Sequence, residues 1–274
     1  MPCVPALALV RDALRDGYAV PALEVETCDM AEAVLEAAAA ARSPLILQVV
    51  PYALELAGWA RLVRHLRGLC DTAPLPVALH LDHATTVGGA MRALDGGFTS
   101  VMYDGSFLAP AENTANTAHV VEAAHRHGLS VEGEIGHVGR EGESPGVDRL
   151  TDADAAQSFA RATGVDMLAV AIGTRHGRTP GPGGLDLDRL AEIRARVDTP
   201  LVLHGGSGVD EPALRAAIAG GIAKVNVGAA LNRAYMAAAA EGGETPAALS
   251  ARAREAVAAA ARATCARLSS EGRL

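Results

Sequence analysis

The stretch 200-PLVLHGGSGVDEPALRAAIAGGIAKVNV-227 decides how the rest of the chain is read. Two short apolar runs, PLVLHG and IAKVNV, flank a segment that a Gly-Ser-Gly turn opens as a helix. Near-continuous apolar strands separated by helices belong to parallel sheets covered on both faces. Working outward, the same unit recurs at 18-YAVPALEV-25, 45-LILQVV-50, 76-PVALHLD-82, 98-FTSVMYD-104, 129-LSVEGEI-135 and 166-DMLAVAI-172. Eight such strands in about 250 residues predict a closed (β/α)8 TIM barrel of the α/β class, with a doubly wound open sheet as the alternative. The GxGxxG turn that would favour the open sheet is missing after the first strand.

The intervening segments carry helix signals. Residues 29–43 open on Asp29, suited to capping, and 110–128 close on Gly128, suited to a C-cap. Residues 246–270 read as one long additional C-terminal helix, packed on the barrel or against a partner subunit. No Pro-, Gly- or Ser-rich linker divides the chain, so 1–274 is expected to be a single domain, with 133-GEIGHVGREGESPGV-147 as a mobile loop within it.

Composition excludes several functions. Half of the 274 residues are apolar and mean hydropathy is +0.18, enough to bury a full core. A net charge of -8 with 3% aromatic residues leaves neither a basic stripe nor a stacking platform, which argues against nucleic acid as a partner. Cys3, Cys28, Cys70 and Cys265 are scattered without CxxC spacing, as suits reduced thiols in a cytoplasmic protein. The N-terminal run is too short and too soon charged for a signal peptide, and no run approaches the roughly 20 apolar residues that span a bilayer.

In barrel enzymes the chemistry is built at the carboxyl ends of the strands. Strand three ends in Asp82 and His83, strand four in Asp104, and strand five in Glu132 and Glu134. His176 follows strand six, His204 ends strand seven and Asn226 ends strand eight. One histidine near an apolar run is usually a hydrogen-bonded core or surface residue. Three from different strands converge on one mouth, and three neutral imidazoles with an open fourth position make a catalytic zinc site. His80 reads as packed behind them; His65, His119, His125, His127 and His137 read as solvated positions on helices or loops. Glycines open helices after strand seven and at Gly228 after strand eight, where barrels commonly bind phosphate on backbone N–H groups. Zinc beside a phosphate grip suits proton removal next to a sugar-phosphate carbonyl, with carboxylates moving the protons.

The ordered motifs LHLDHA, SVMYDGS, VEGEIGHVG, AIGTRHG, LVLHGGSGV and KVNVG resemble the class II, zinc-dependent fructose-bisphosphate and tagatose-bisphosphate aldolase family over nearly the whole chain. The resemblance implies a lyase joining dihydroxyacetone phosphate, or a similar ketose donor, to an aldehyde through a metal-stabilised enediolate. It makes His83, His176 and His204 the Zn2+ ligands, Asp104 and Glu134 holders or neighbours of an alternative metal position, and Asp82 the proton carrier. Gly177, Gly205, Ser207, Asn226 and Gly228 match the grip on the donor and its phosphate, where the family also uses a monovalent cation, Na+ or K+. A catalytic Glu on the loop after strand five is matched by Glu141 or Glu143. A homodimer or homotetramer is implied as well.

Three positions depart from the family. Leu23-Glu24 stand where Phe-Asn is usual, Val50 where a Ser is usual, and Ala229 where a Thr would meet phosphate. By the resemblance all three touch substrate rather than metal, which opens the reading of a specialised aldolase for another acceptor beside the family's usual one. Two rivals remain: a Schiff-base aldolase using Lys224, the only lysine, and a non-catalytic aldolase-like subunit.

Overall fold

The computed structural model describes residues 3–139, 149–177, 184–243 and 245–274. Eight strands close into a parallel barrel in chain order: β1 (Val20–Glu24), β2 (Leu45–Val49), β3 (Val77–Ala84), β4 (Ser100–Tyr103), β5 (Ser130–Ile135), β6 (Met167–Val170), β7 (Leu201–Leu203) and β8 (Ile222–Val227), with β8 pairing back onto β1. Around them lie α1 (Ala6–Asp16), α2 (Cys28–Ala41), α3 (Pro51–Ala57), α4 (Trp59–Thr72), α5 (Val87–Asp95), α6 (Pro110–Arg126), α7 (Ala153–Thr163), α8 (Leu187–Arg194), α9 (Glu211–Ala219), α10 (Ala229–Ala240) and α11 (Pro246–Arg267). Every apolar run read as a strand is one, and the closed barrel prevails over the open sheet.

The strands are buried on both faces because helices cover the outside and side chains fill the inside. Outward Leu23, Leu47, Leu79, Val101, Val131 and Leu168 join the helices in the main core. Inside, Ala22, Ile46, Ala78, Met167, Ala169 and Val202 form a second cluster with Leu9, Val10 and Ala13 of α1. The N-terminal segment is therefore a helix that plugs the barrel floor, tied by Val4 N–H to Val77 O at 2.9 Å and Leu7 N–H to Ser130 Oγ at 3.1 Å. Only the opposite mouth is left for chemistry.

Of the two local helix signals, the N-terminal one resolves differently from the sequence expectation and the C-terminal one as expected. α2 is capped by Thr27, whose Oγ1 accepts from Met30 N–H, while Asp29 lies in the first turn. The cap oxygen must reach back to the third amide from outside the helix, which favours the residue before Cys28. α6 ends at Arg126, and Gly128 takes the left-handed backbone just beyond it, φ +68°. α11 lies along α2 and α10, with Arg254 paired to Glu32 and, at 2.8 Å, to Glu36. Of its two expected docking sites, the chain's own barrel is the one the structure displays.

Candidate active site

A strand normally sends consecutive side chains to opposite faces, so Asp82 and His83 should part. They do not, because the β3–β4 register shifts between Leu81 and Ala84 and His83 adopts φ +51°. This bulge turns both side chains into the mouth, where they are 1% and 6% exposed. A left-handed histidine costs on the order of 1–3 kcal/mol, and such strain collects at functional positions.

Three imidazoles meet there. Ring centroids are 4.9 Å apart for His83–His176, 4.8 Å for His83–His204 and 5.6 Å for His176–His204. One nitrogen from each lies within 4.8 Å of the others. Carboxylates behind the rings set which nitrogen faces the centre. His83 Nδ1 meets Asp104 Oδ2 at 2.8 Å, leaving Nε2 inward; His204 Nε2 meets Glu132 Oε1 at 2.9 Å, leaving Nδ1 inward, 3.1 Å from His83 Nε2. Carboxylates that orient imidazoles in this way accompany metal-binding histidines. His176 arrives on the loop after β6, where its backbone N–H donates to Gly139 O at 2.9 Å.

The donor set fits a metal ion. His83, Asp104 and Glu134 form a second ligand group sharing one histidine with the first. Glu134 Oε2 is buried without a hydrogen-bond partner among the described residues, while Oε1 accepts from Val138 N–H at 3.2 Å. Three nitrogens with adjacent carboxylate oxygens suit zinc.

Below the imidazoles lies a buried polar layer. Asp82 accepts from Gln48 Nε2 at 3.0 Å and from Asn226 Nδ2 at 3.2 Å to each oxygen. Lys224 Nζ donates to Glu132 Oε2 and Asn226 Oδ1, both at 2.7 Å. Burial alone would raise the Asp82 carboxyl, but the His83 and His204 imidazoles and the Lys224 ammonium outweigh it and hold it below its usual range. Burial likewise opposes charge on His83, yet Asp82 and Asp104 bring it up to about 9. Burial and Asp104 raise Glu134. Burial first, then Lys224, takes His80 down to about 3, so this ring is neutral; its Nδ1 meets Ser100 Oγ at 2.8 Å, the packed position expected of it.

A cavity of ≈ 210 Å³ opens over this layer. Asp82, His83, His176 and Asn226 line one side, with Gly177, Gly205, Ser207 and Gly228 around the rim. Glu24, Val50 and Ala229 line it too, so all three departures face the same space. His204, Asp104 and Glu134 stand behind this wall. Gly205 sits at φ +69°, where an added Cβ would lie 2.6 Å from Arg175 O, so the β7 turn passes the β6 loop only as glycine. Glu141 and Glu143 lie outside the described residues.

His137 is not simply solvated. Its Nδ1 meets Ser106 Oγ at 2.9 Å and its backbone pairs with Arg149. Glu132, Gln48, Tyr52 and Asn232 were missed by sequence reasoning as site residues; for Glu132 a signal existed, since Glu132 and Glu134, two apart, share a strand face. A larger groove of ≈ 800 Å³ between α6 and α7 is lined mainly by apolar groups such as Leu108, Ile135 and Phe159 and holds none of the imidazoles.

The whole chain compares closely with known proteins. It matches the YdjI aldolase from Escherichia coli K12 at 30% identity and TM-score 0.90, over 99% of each chain. A candidate fructose-1,6-biphosphate aldolase from Coccidioides immitis matches at 33% identity and TM-score 0.91, over 98% of this chain and 97% of that one. Fructose-bisphosphate aldolase from Campylobacter jejuni shares the fold at 20% identity and TM-score 0.82, over 98% and 96%. Residues 4–273 match the family model described as fructose-bisphosphate aldolase class-II. With its closed barrel, its order of motifs and this match, the chain belongs to the class II fructose-bisphosphate aldolase family.

Proposed function

We propose that the protein is a zinc-dependent aldolase that makes or cleaves the C–C bond between an aldehyde and a small ketose donor of the dihydroxyacetone type. The observation that carries this reading is the trio His83, His176 and His204, from three strand ends, with ligand atoms within 4.8 Å beside a buried ionised Asp82. These histidines would hold the zinc, and Asp104 and Glu134 an alternative position for it. When bound, zinc supplies a Lewis acid that lowers the cost of negative charge on a carbonyl oxygen.

The chain's own residues do the rest. Asp104 and Glu132 lock two imidazoles in the tautomers that face the centre. Asp82, steadied by Gln48 and Asn226, accepts and returns the proton of the hydroxyl at the bond that is cut. Asn226, Gly177, Gly205, Ser207 and Gly228 surround the donor. A second proton carrier, Glu141 or Glu143, comes from the loop after β5. A monovalent cation beside the donor, a homodimer or homotetramer, and a cytoplasmic location belong to the same reading; among the described residues no helix is long and apolar enough to cross a membrane.

Both rivals are weaker on these observations. Lys224 Nζ is committed to Glu132 and Asn226 beneath the cavity and does not line it, so a Schiff base there would break two buried hydrogen bonds. A non-catalytic subunit has no physical need for a strained His83 that carries a ligand nitrogen to the mouth.

The test follows hydrogen exchange at the donor carbon by NMR in deuterated water, with zinc-loaded and chelated protein. Dihydroxyacetone and its phosphate are offered separately. Zinc-dependent exchange of either one supports the reading; no exchange with either, in protein shown to hold zinc, would refute it.

A further inference from the structure

The carboxylate that orients His83 is itself held from outside the trio of imidazoles. Asp104 follows β4, and two residues on Ser106 turns back and donates its N–H to Asp104 Oδ1 at 3.1 Å, while Asp104 Oδ2 meets His83 Nδ1 at 2.8 Å. The turn is tight: a Cβ added at Gly105, between the two, would lie 2.4 Å from Asn113 Oδ1. Burial raises the Asp104 carboxyl; the bond to His83, and after it the hydroxyl and N–H of Ser106, bring it below its usual range. Ser106 is buried, and its one hydroxyl proton goes to that carboxylate, so its Oγ is left to accept.

The partner it accepts from is His137. Nδ1 of this half-buried ring stands 2.9 Å from Ser106 Oγ, just past the end of β5. The backbone of His137 is bridged to Arg149, N–H to O at 2.8 Å one way and 3.2 Å the other, and the Arg149 guanidinium donates to the Ser106 carbonyl. The next two residues serve the same centre. Val138 N–H donates to Glu134 Oε1 at 3.2 Å, and Gly139 O accepts from His176 N–H at 2.9 Å. The His137 side chain thus joins the segment that steadies Glu134 and His176 to the turn that steadies Asp104 and His83.

Resting on the zinc reading of this site, we infer that His137 is a positioning residue: its Nδ1–H fixes Ser106, Ser106 fixes Asp104, and Asp104 presents His83 Nε2 to the zinc position. The imidazole keeps the serine hydroxyl turned toward the carboxylate. A carboxylate so held keeps the His83 ring in the tautomer whose inward nitrogen carries a free electron pair.

The experiment measures zinc affinity, by competition with a chromophoric chelator, for wild type, His137→Phe, His137→Asn, Ser106→Ala and the double variant Ser106→Ala/His137→Phe. Outer partners of metal ligands are worth about 10–100-fold in affinity, so His137→Phe and Ser106→Ala should each weaken zinc by about tenfold. His137→Asn, whose amide N–H stands where Nδ1–H does, should restore most of the loss. The double variant should bind zinc no more weakly than Ser106→Ala, because both changes cut one chain of contacts. Unchanged affinity in His137→Phe, or losses that add in the double variant, would overturn the inference. Ser106→Ala removes a single oxygen and carries the test by itself should His137→Phe not fold; full zinc affinity there would overturn it equally. Nitrogen-15 NMR of histidine-labelled wild type reads the ring without any substitution: His137 should carry a proton on Nδ1, and a bare Nδ1 would overturn the inference. Wild type that binds no zinc would sink the zinc reading and this inference together, whereas wild type that binds zinc with both single variants unaffected sinks the inference alone.

Discussion

At the residue scale, the site depends on charges that only neighbours make tolerable. Glu132 is fully buried between Lys224 Nζ and His204 Nε2, and these partners hold its carboxyl below the usual range against the upward push of burial. Glu132→Gln leaves an ammonium facing a neutral amide, and breaking a buried pair by removing one partner costs about 3–5 kcal/mol. Denaturant unfolding should show a loss of that size; a change under about 1 kcal/mol would mean that Lys224 finds another partner. His204→Ala should instead abolish binding of the zinc proposed for this site while keeping the fold, which metal analysis of the purified variant beside wild type would show. Away from the site, Cys3 offers a pH test. A hydrogen bond with Cys70 does most to lower its thiol to about 7, burial opposing and Thr99 and Arg67 assisting, while the same bond and burial push Cys70 up. A lowered folded-state value means the thiolate forms above about pH 7, so the stability it adds is lost as pH falls through that value. Alkylation of native protein should therefore label Cys3 before Cys70, rising through neutrality. In Cys70→Ala the rise should move toward the ordinary thiol value near 8.5.

At the scale of elements, each strand end delivers what its neighbours require, and the sequence shows this unevenly. The eight strands were legible because both faces are buried, which leaves unbroken apolar runs whatever the register. Asp82 and His83 were legible as chemistry but not as geometry. Alternation separates them, and a bulge that joins a register shift to a non-glycine φ of +51° reunites them. The tie between Lys224 and Glu132 was hidden because it joins residues 92 positions apart, on strands that are not neighbours. A lone lysine in an apolar strand announces that some carboxylate must face it, not which one. The role of α1 was equally hidden, since an amphipathic N-terminal helix can pack anywhere. Its place on the floor predicts separable effects: Leu9→Ala should cost about 2–5 kcal/mol from the cavity left behind, with zinc content unchanged. Loss of zinc in that variant would show that floor and mouth are coupled through the barrel interior.

At the scale of the molecule, the barrel divides its labour along its axis. The lower interior is an apolar cluster closed by α1, and the outer core is continuous around the helices, so neither depends on a metal ion. The mouth is otherwise: three imidazoles, Asp104, Glu134 and Asp82 crowd one place, and burial favours neutral forms for these groups unless opposite charges compensate. A bound dication would relieve the carboxylates, whereas the chelated protein must balance them with protons, hydrogen bonds and the Lys224 ammonium. Chelation should therefore lower the melting temperature without unfolding the barrel. With free zinc at a thousandfold excess over its Kd, mass action stabilises the fold by about 4 kcal/mol. At about 2 °C per kcal/mol for a chain of this size, that is a shift of roughly 8 °C. Far-UV circular dichroism at 25 °C should be the same before and after chelation, and re-addition of zinc should restore the higher transition. Collapse of the dichroism on chelation would place the metal among the elements that hold the barrel together. An unmoved transition in protein shown to exchange its zinc would mean that the carboxylates and imidazoles balance one another as well without the ion as with it.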